Sequence, residues 1–506
     1  MTAGDVVRTP AGTVVGRRTG RVRRFLGIPY AEAPFGVRRF AAPVPRGRFT
    51  EPYDASRHGA TAQQVPLFTT TTIPEPSVPG EDVLNLSVVA PADADRCPVL
   101  VWIHGGGFLA GSPASPWYDG RSFARDGVVT VTVGYRLGVD GFAPLDGVPA
   151  NLGLRDVLLA LDWVRENIAA FGGDPGRVTL AGQSAGGAAV LALLSSPAAE
   201  GRFQQAVSIS GGLFEVRRDT ARGFLGRLGR RLAVPPTREG FGGVAMDRLQ
   251  EAVRDLRGGE TLVLGPVTGD DILPVSIAEG LTGHGLGTPV LLGSTGDEFD
   301  GGGDGDGDGD GDGEFDGRDG SADGDGLCGR EGGGVGGFHG RYDGDEFGGD
   351  NGNEGRPAAE FTRGADTAAR SARAAGTRVT DVLFRSACPR VAHSRRKAGA
   401  GTWLYSFEWP SPVTGGATHC VDLPFFYDLL DAPGVREALG PCPPAELAAL
   451  MHADLVGFVH GRPPSWAPAT GGPGDPVREY GRPGAVPAAD TTGGYDPVVR
   501  SSAEAC

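Results

Sequence analysis

The sequence predicts an α/β protein with a mostly parallel central sheet and helices on both faces. Three observations carry that reading. Short apolar β-branched runs alternate with segments of helical periodicity. Two of the runs, 98–107 and 127–137, are nearly continuous in apolar residues, as strands buried on both faces must be. A serine among small residues, "LAGQSAGGAAV" (180–190), stands between one such run and an apolar helical stretch.

Taken in order, "VVRTPAGTVVGRR" and "RVRRFLGIPYAEAP" read as N-terminal hairpin strands running into a Pro-rich loop. "VLNLSVVAP" (83–91), "PVLVWIHGGG" and "GVVTVTVGYRL" follow as strands. "DVLLALDWVRENIAAF" places Val157, Leu158, Leu161, Val164, Ile168 and Phe171 at helical spacing, which gives one apolar stripe. "RVTLAG", "FQQAVSISGG" and "TPVLLGS" are further strands, "TRVTDVLFRSACPRVAHSRR" a helix and "GTWLYSFEW" a strand. The last forty or so residues, rich in Pro, Gly and Ala, read as loosely packed.

The chain has 506 residues, 86 of them glycine, and a net charge of −15. Residues 299–356 hold seventeen acidic and four basic residues, so this Gly/Asp-rich stretch carries −13 of that charge and the remainder is almost neutral. A segment so poor in apolar groups cannot offset its ordering entropy and is expected to be a solvated, flexible loop. The predicted organisation is a body over 1–298, the acidic segment 299–356, the rest of the body over 357–470 and a C-terminal segment 471–506. A nucleic-acid-binding face, which needs clustered basic charge, is not expected. Six scattered cysteines without C-x-x-C spacing read as reduced thiols. With no apolar signal-peptide core and no run of membrane-spanning length, the expectation is a cytoplasmic protein without membrane contact, of undetermined oligomeric state.

G-x-S-x-G at Gly182 to Gly186 is weak alone, since a chain this rich in glycine should contain about one accidental match. Its context strengthens it: a strand before and a helix after are what a sharp strand-to-helix turn needs to expose a nucleophilic Ser184. An unaided hydroxyl is a poor nucleophile, so a base, an orienting acid and oxyanion donors must accompany it. "HGGGF" (104–108) directly follows a strand, and its glycines let backbone N–H groups approach a substrate oxygen. His104 itself reads as a structural hydrogen-bonding residue. The order Ser, acid, His leaves the histidines after Ser184 as candidate bases, of which His419 lies in a loop beyond a strand. Asp297 and Glu298 both follow "TPVLLGS" and are both candidate acids.

These residues resemble the type-B carboxylesterase and lipase family. "FLGIPYAEAPFGVRRFAAPVP", "EDVLNLSVVAPA", "VWIHGGGF", "NLGLRDVLLALDWVRENIAAFGGDPGRVTLAGQSAGG", "SISGG" and "THCVDLPFFY" are similar to its blocks, in order, over about 10–298 and 378–468. The resemblance implies an α/β-hydrolase fold with a lid or gorge region. It puts the nucleophile on Ser184, the acid on Glu298 rather than Asp297 and the base on His419, with oxyanion donors at Gly106, Gly107 and Ala185. It matches Ser210 to a buried serine near the triad, and Arg39 with Glu81 to a structural ion pair. Val83 stands where the family often has a disulfide cysteine, and the Gly/Asp stretch occupies a region that normally shapes part of the gorge.

The expected activity is hydrolysis of small to medium apolar esters through an acyl-enzyme, without a metal or organic cofactor. Phe108, Phe425 and Phe426 are candidate pocket residues. The alternatives are a non-catalytic binding protein of this fold, and a weakened enzyme whose acidic tract binds calcium, although the tract lacks the spacing of known calcium loops.

Overall fold

In the computed structural model, the described residues are 3–63, 65, 71–257, 262–299, 379–484 and 488–496. Along them run β1 (Ala3–Thr9), β2 (Gly12–Thr19), β3 (Val22–Pro29), β4 (Tyr53–Asp54), β5 (Asn85–Pro91), β6 (Cys97–Ile103), β7 (Val129–Val133), β8 (Gly173–Gln183), β9 (Gln205–Ile209), β10 (Val290–Thr295), β11 (Thr402–Phe407), β12 (Pro476–Tyr480) and β13 (Ala488–Thr492). They form one sheet in the order β1-β2-β3-β5-β7-β6-β8-β9-β10-β11-β12-β13, with β4 paired to β2. From β7 to β12 every pairing is parallel; β1, β2, β3 and β5 pair antiparallel up to β7, as β13 does with β12, and the short β4 lies parallel to β2.

Side chains alternate across a strand, so a sheet covered on both sides must send neighbouring apolar residues into different cores. It does: Val99, Val101 and Ile103 of β6 enter one buried cluster, Leu100 and Trp102 the other. Val290 and Leu292 of β10 likewise part from Leu291. This explains why the central runs read as continuous rather than alternating. The predicted helix forms over Leu152–Asn167 and tightens into a 3₁₀ turn at Ile168–Phe171, with its whole apolar stripe buried.

The strand β10 pairs with β11 in register Val290 to Thr402, so the parts before and after the acidic segment build one sheet. Apart from Phe299, the segment 299–356 lies outside the described residues, and so does the calcium reading attached to it. Two expectations need correction. The C-terminal segment supplies β12 and β13, and the Tyr495 hydroxyl donates to the Tyr405 carbonyl at 2.6 Å; a Pro- and Gly-rich stretch here closes a sheet edge. Arg39 pairs with Asp140 (Nε to Oδ1, 2.6 Å) and donates to the Val244 carbonyl, while Glu81 is exposed; the ion pair is real but its acid is a different residue.

A second ion pair fixes the chain after β7. Asp156 on the long helix accepts from the backbone N–H and guanidinium of Arg136, both residues being fully buried. Asp156→Ala would leave the guanidinium buried and unpaired, so urea denaturation should show a loss of about 3–5 kcal/mol.

Candidate active site

The run "RVTLAG" forms β8 and "AGGAAVLALL" the helix Ala185–Leu194, all ten residues of which are buried. Ser184 sits between them at φ 55° and ψ −124°, a left-handed turn held by its N–H bond to the Ile209 carbonyl (2.9 Å). The flanking glycines permit it. A Cβ on Gly182 would lie 2.5 Å from the backbone of Gly186, and one on Gly186 would lie 2.1 Å from the Ile103 carbonyl oxygen. The two ends of the turn therefore touch, and nothing larger than glycine fits. Ser184 remains 9% exposed, and its Oγ makes no hydrogen bond among the described residues.

Beyond β6, the loop carrying Gly106 and Gly107 turns back on itself. Gly106 has φ 109°, and its carbonyl accepts from the N–H groups of Leu109 (3.0 Å) and Ala110 (2.8 Å). The N–H groups of Gly106, Gly107 and Ala185 find no acceptor among the described residues. His104 anchors the loop: it is buried, stacked on Tyr135 with centroids 4.6 Å apart, and its Nδ1 lies 2.8 Å from the Gly105 carbonyl. Burial pushes its imidazole down to about 4. It is the structural residue expected.

The loops after β10 and β11 are laced together. Asp297 N–H donates to the Ala417 carbonyl (3.0 Å), Ala417 N–H to the Asp297 carboxylate (2.9 Å), and His419 N–H to the Glu298 carbonyl (2.8 Å). Asp297 thus clips the loops, and Glu298, 1% exposed, reaches the ring. One of its oxygens accepts from Thr295 N–H at 2.9 Å; the other bonds Nδ1 of His419. On the far side of the ring, Nε2 lies 3.2 Å from the Gln183 amide nitrogen, which is also 3.0 Å from Sγ of Cys420. An amide nitrogen only donates, so this arrangement suits a neutral imidazole with its proton on Nδ1.

Burial opposes charge on His419, but Cys420 and Glu298 beside it outweigh that and hold the imidazole well above its ordinary value. Burial also pushes the Cys420 thiol up, so Glu298 is the charge that matters. Nearby Asp422, fully buried, is pushed up to about 7 by burial and by the charge of Glu298, against His419.

The structure thus brings Glu298 onto His419 and sets His419 against the elbow through Gln183. Ser210 is buried at φ 46°, and its Oγ has no hydrogen-bond partner among the described residues. The expected pocket residues fare differently. Phe425 packs on Phe407 and Trp409, and Phe426 on Tyr405 and Tyr480, all on the sheet face opposite the elbow helix. They are core, so the expectation of a pocket wall there is corrected. Phe108, also fully buried, packs on Phe142 (centroids 4.8 Å) next to the Gly106 and Gly107 turn. Sequence reasoning did not single out Gln183, Phe299 or Phe384, which meet His419 directly; the only signal for Phe299 was its place directly after the acid. Among the described residues there is no cluster able to hold a metal ion and no helix long and apolar enough to cross a membrane.

A left-handed serine between a central strand and a buried helix, on a parallel sheet with an acid and a histidine paired beyond neighbouring strands, defines a hydrolase of the α/β class. The chain belongs to the carboxylesterase family, which it matches over residues 3–318, and it is a carboxylic ester hydrolase of the serine type. It is 34% identical to the para-nitrobenzyl esterase of Bacillus subtilis (strain 168), over 84% of this chain and 83% of that one. The fumonisin B1 esterase of Sphingopyxis macrogoltabida is 40% identical over 41% of this chain and 40% of its own length. Among solved structures, a thermophilic PNB esterase superposes with a TM-score of 0.78 at 26% identity, covering 99% of this chain and 100% of that one. A Geobacillus stearothermophilus carboxylesterase superposes with a TM-score of 0.74 at 28% identity, covering 98% and 99%.

Proposed function

We propose that the chain cleaves small to medium apolar carboxylic esters with Ser184 as nucleophile, His419 as base and Glu298 as the acid that holds the imidazole tautomer. The observation that carries this reading is the bond from buried Glu298 to the partly exposed ring of His419, with the ring's free nitrogen against the residue preceding Ser184. In the resting protein that nitrogen faces the Gln183 amide. Substrate binding brings it onto the Ser184 hydroxyl, since catalytic hydrogen bonds often tighten only in the complex.

Ser184 Oγ attacks the ester carbonyl as His419 Nε2 takes its proton, and the imidazolium is stabilised by Glu298. The oxyanion lies against the N–H groups of Gly106, Gly107 and Ala185. That they have no acceptor among the described residues supports this, because such donors act best when already oriented and unspent. His419 then protonates the leaving alcohol, the C–O bond breaks, and water activated by the same imidazole hydrolyses the acyl-enzyme. Every step uses the chain's own groups and water.

Two measurements test the reading. With p-nitrophenyl esters of increasing acyl length, kcat/KM should be highest for short and medium chains and fall for long ones; a steady rise with length contradicts the substrate class. The pH profile follows from the direction of the His419 shift. A base works only when deprotonated, and a raised value keeps it protonated to higher pH, so the acid limb of kcat/KM should lie above the ordinary imidazole value of about 6.5. A midpoint below that value would contradict the pairing with Glu298.

A further inference from the structure

Phe299 is 42% exposed, yet its ring lies nearly parallel to the His419 imidazole, with centroids 5.1 Å apart and planes 24° apart. Phe384 meets the same imidazole at 5.1 Å and 57°, and meets Phe299 at 5.5 Å. Phe214 packs edge-on against Phe384 at 5.4 Å. Residue 299 is fixed there by its N–H bond to Oγ1 of Thr380 (3.0 Å), and it directly follows the acid that bonds the Nδ1 edge of the imidazole. A ring held against solvent on one side and on the base on the other is placed for the base.

We propose that Phe299 is a positioning residue of His419: with Phe384 it clasps the imidazole in plane, and its face stabilises the imidazolium formed when Ser184 loses its proton. The inference rests on His419 being the base, as proposed above. A cation over an aromatic face is attracted by the ring quadrupole, and the attraction is greatest for Trp. The charged and titratable groups around the imidazole are Glu298 after β10, Cys420 and Asp422 on its own loop, and, on the turn bearing Phe384, Asp381 and Arg385, which lie 3.9 Å apart. None of these changes in a Phe299 variant, and leucine keeps an apolar cover while removing the quadrupole.

The experiment compares the full chain with Phe299→Leu and Phe299→Trp on p-nitrophenyl acetate from about pH 5 to 9, the range over which an imidazole titrates. Phe299→Leu should lower kcat by about two- to fivefold, the worth of one exposed contact of this kind, with KM little changed and the acid limb displaced to lower pH. Phe299→Trp should keep kcat and the limb at or above those of the unsubstituted chain. Equal kcat and equal limbs in all three, or a rise in KM alone, would overturn the clasp. His419→Ala separates the two readings: full activity in that variant sinks the base assignment itself, whereas a His419-dependent enzyme indifferent to Phe299 sinks only the clasp.

Discussion

Replacing Ser184 with alanine is expected to lower kcat by about 10⁵- to 10⁶-fold while leaving the fold intact, the scale of loss when a member of a cooperating triad is removed. The two halves of that expectation come from different observations. Activity falls because Ser184 is the hydroxyl that, among the described residues, stands on a strained strand-to-helix turn beside the oxyanion loop. Stability is kept because Oγ makes no hydrogen bond among the described residues, and alanine accepts the same tight neighbourhood. Steady-state assays on p-nitrophenyl butyrate together with urea denaturation would show both. A variant that unfolds, or one that keeps a tenth of its activity, contradicts the assignment.

Glu298→Gln is expected to cost about 10⁴-fold in kcat, the size of loss seen when a triad carboxylate becomes an amide. The geometry gives the reason. Two donors, the N–H of Thr295 and Nδ1–H of His419, point at the two carboxylate oxygens, and an amide offers only one oxygen. Either the backbone donor is left unsatisfied or the imidazole is forced into the tautomer that cannot accept a proton from Ser184. The acid limb should also fall, because the charge that raises the imidazole is gone. Asp297→Asn is the control: its carboxylate accepts from one N–H, that of Ala417, which an amide oxygen can still serve, so kcat should stay within about tenfold.

The parallel strands and the elbow were legible because their causes are local. A strand buried on both faces must be continuous in Val, Leu and Ile, and a left-handed serine must have glycine on either side. The choice between Asp297 and Glu298 was not local. Both stand on one turn, and only pairing with the loop before His419 turns one carboxylate onto backbone and the other onto the ring. Phe425 and Phe426 illustrate the same limit, since an aromatic after a catalytic loop reads alike whether it faces a cleft or, as here, the second core. β12 and β13 were missed because short strands in a Pro- and Gly-rich stretch carry little apolar pattern; their place comes from the pairing of β12 with β11 and of β13 with β12, and from the buried Tyr480 and Tyr495. Arg39 found its acid at Asp140, a partner distant in the chain that no spacing rule identifies.

The most direct test is covalent capture of the nucleophile: incubate the full chain with a p-nitrophenyl alkylphosphonate, digest it and locate the adduct by mass spectrometry. The account predicts one phosphonyl group, on Ser184 in the peptide containing "GQSAGG", formed much more slowly in His419→Ala. A chain that hydrolyses esters yet carries the label on any other side chain, or reacts equally fast without the imidazole, would contradict it.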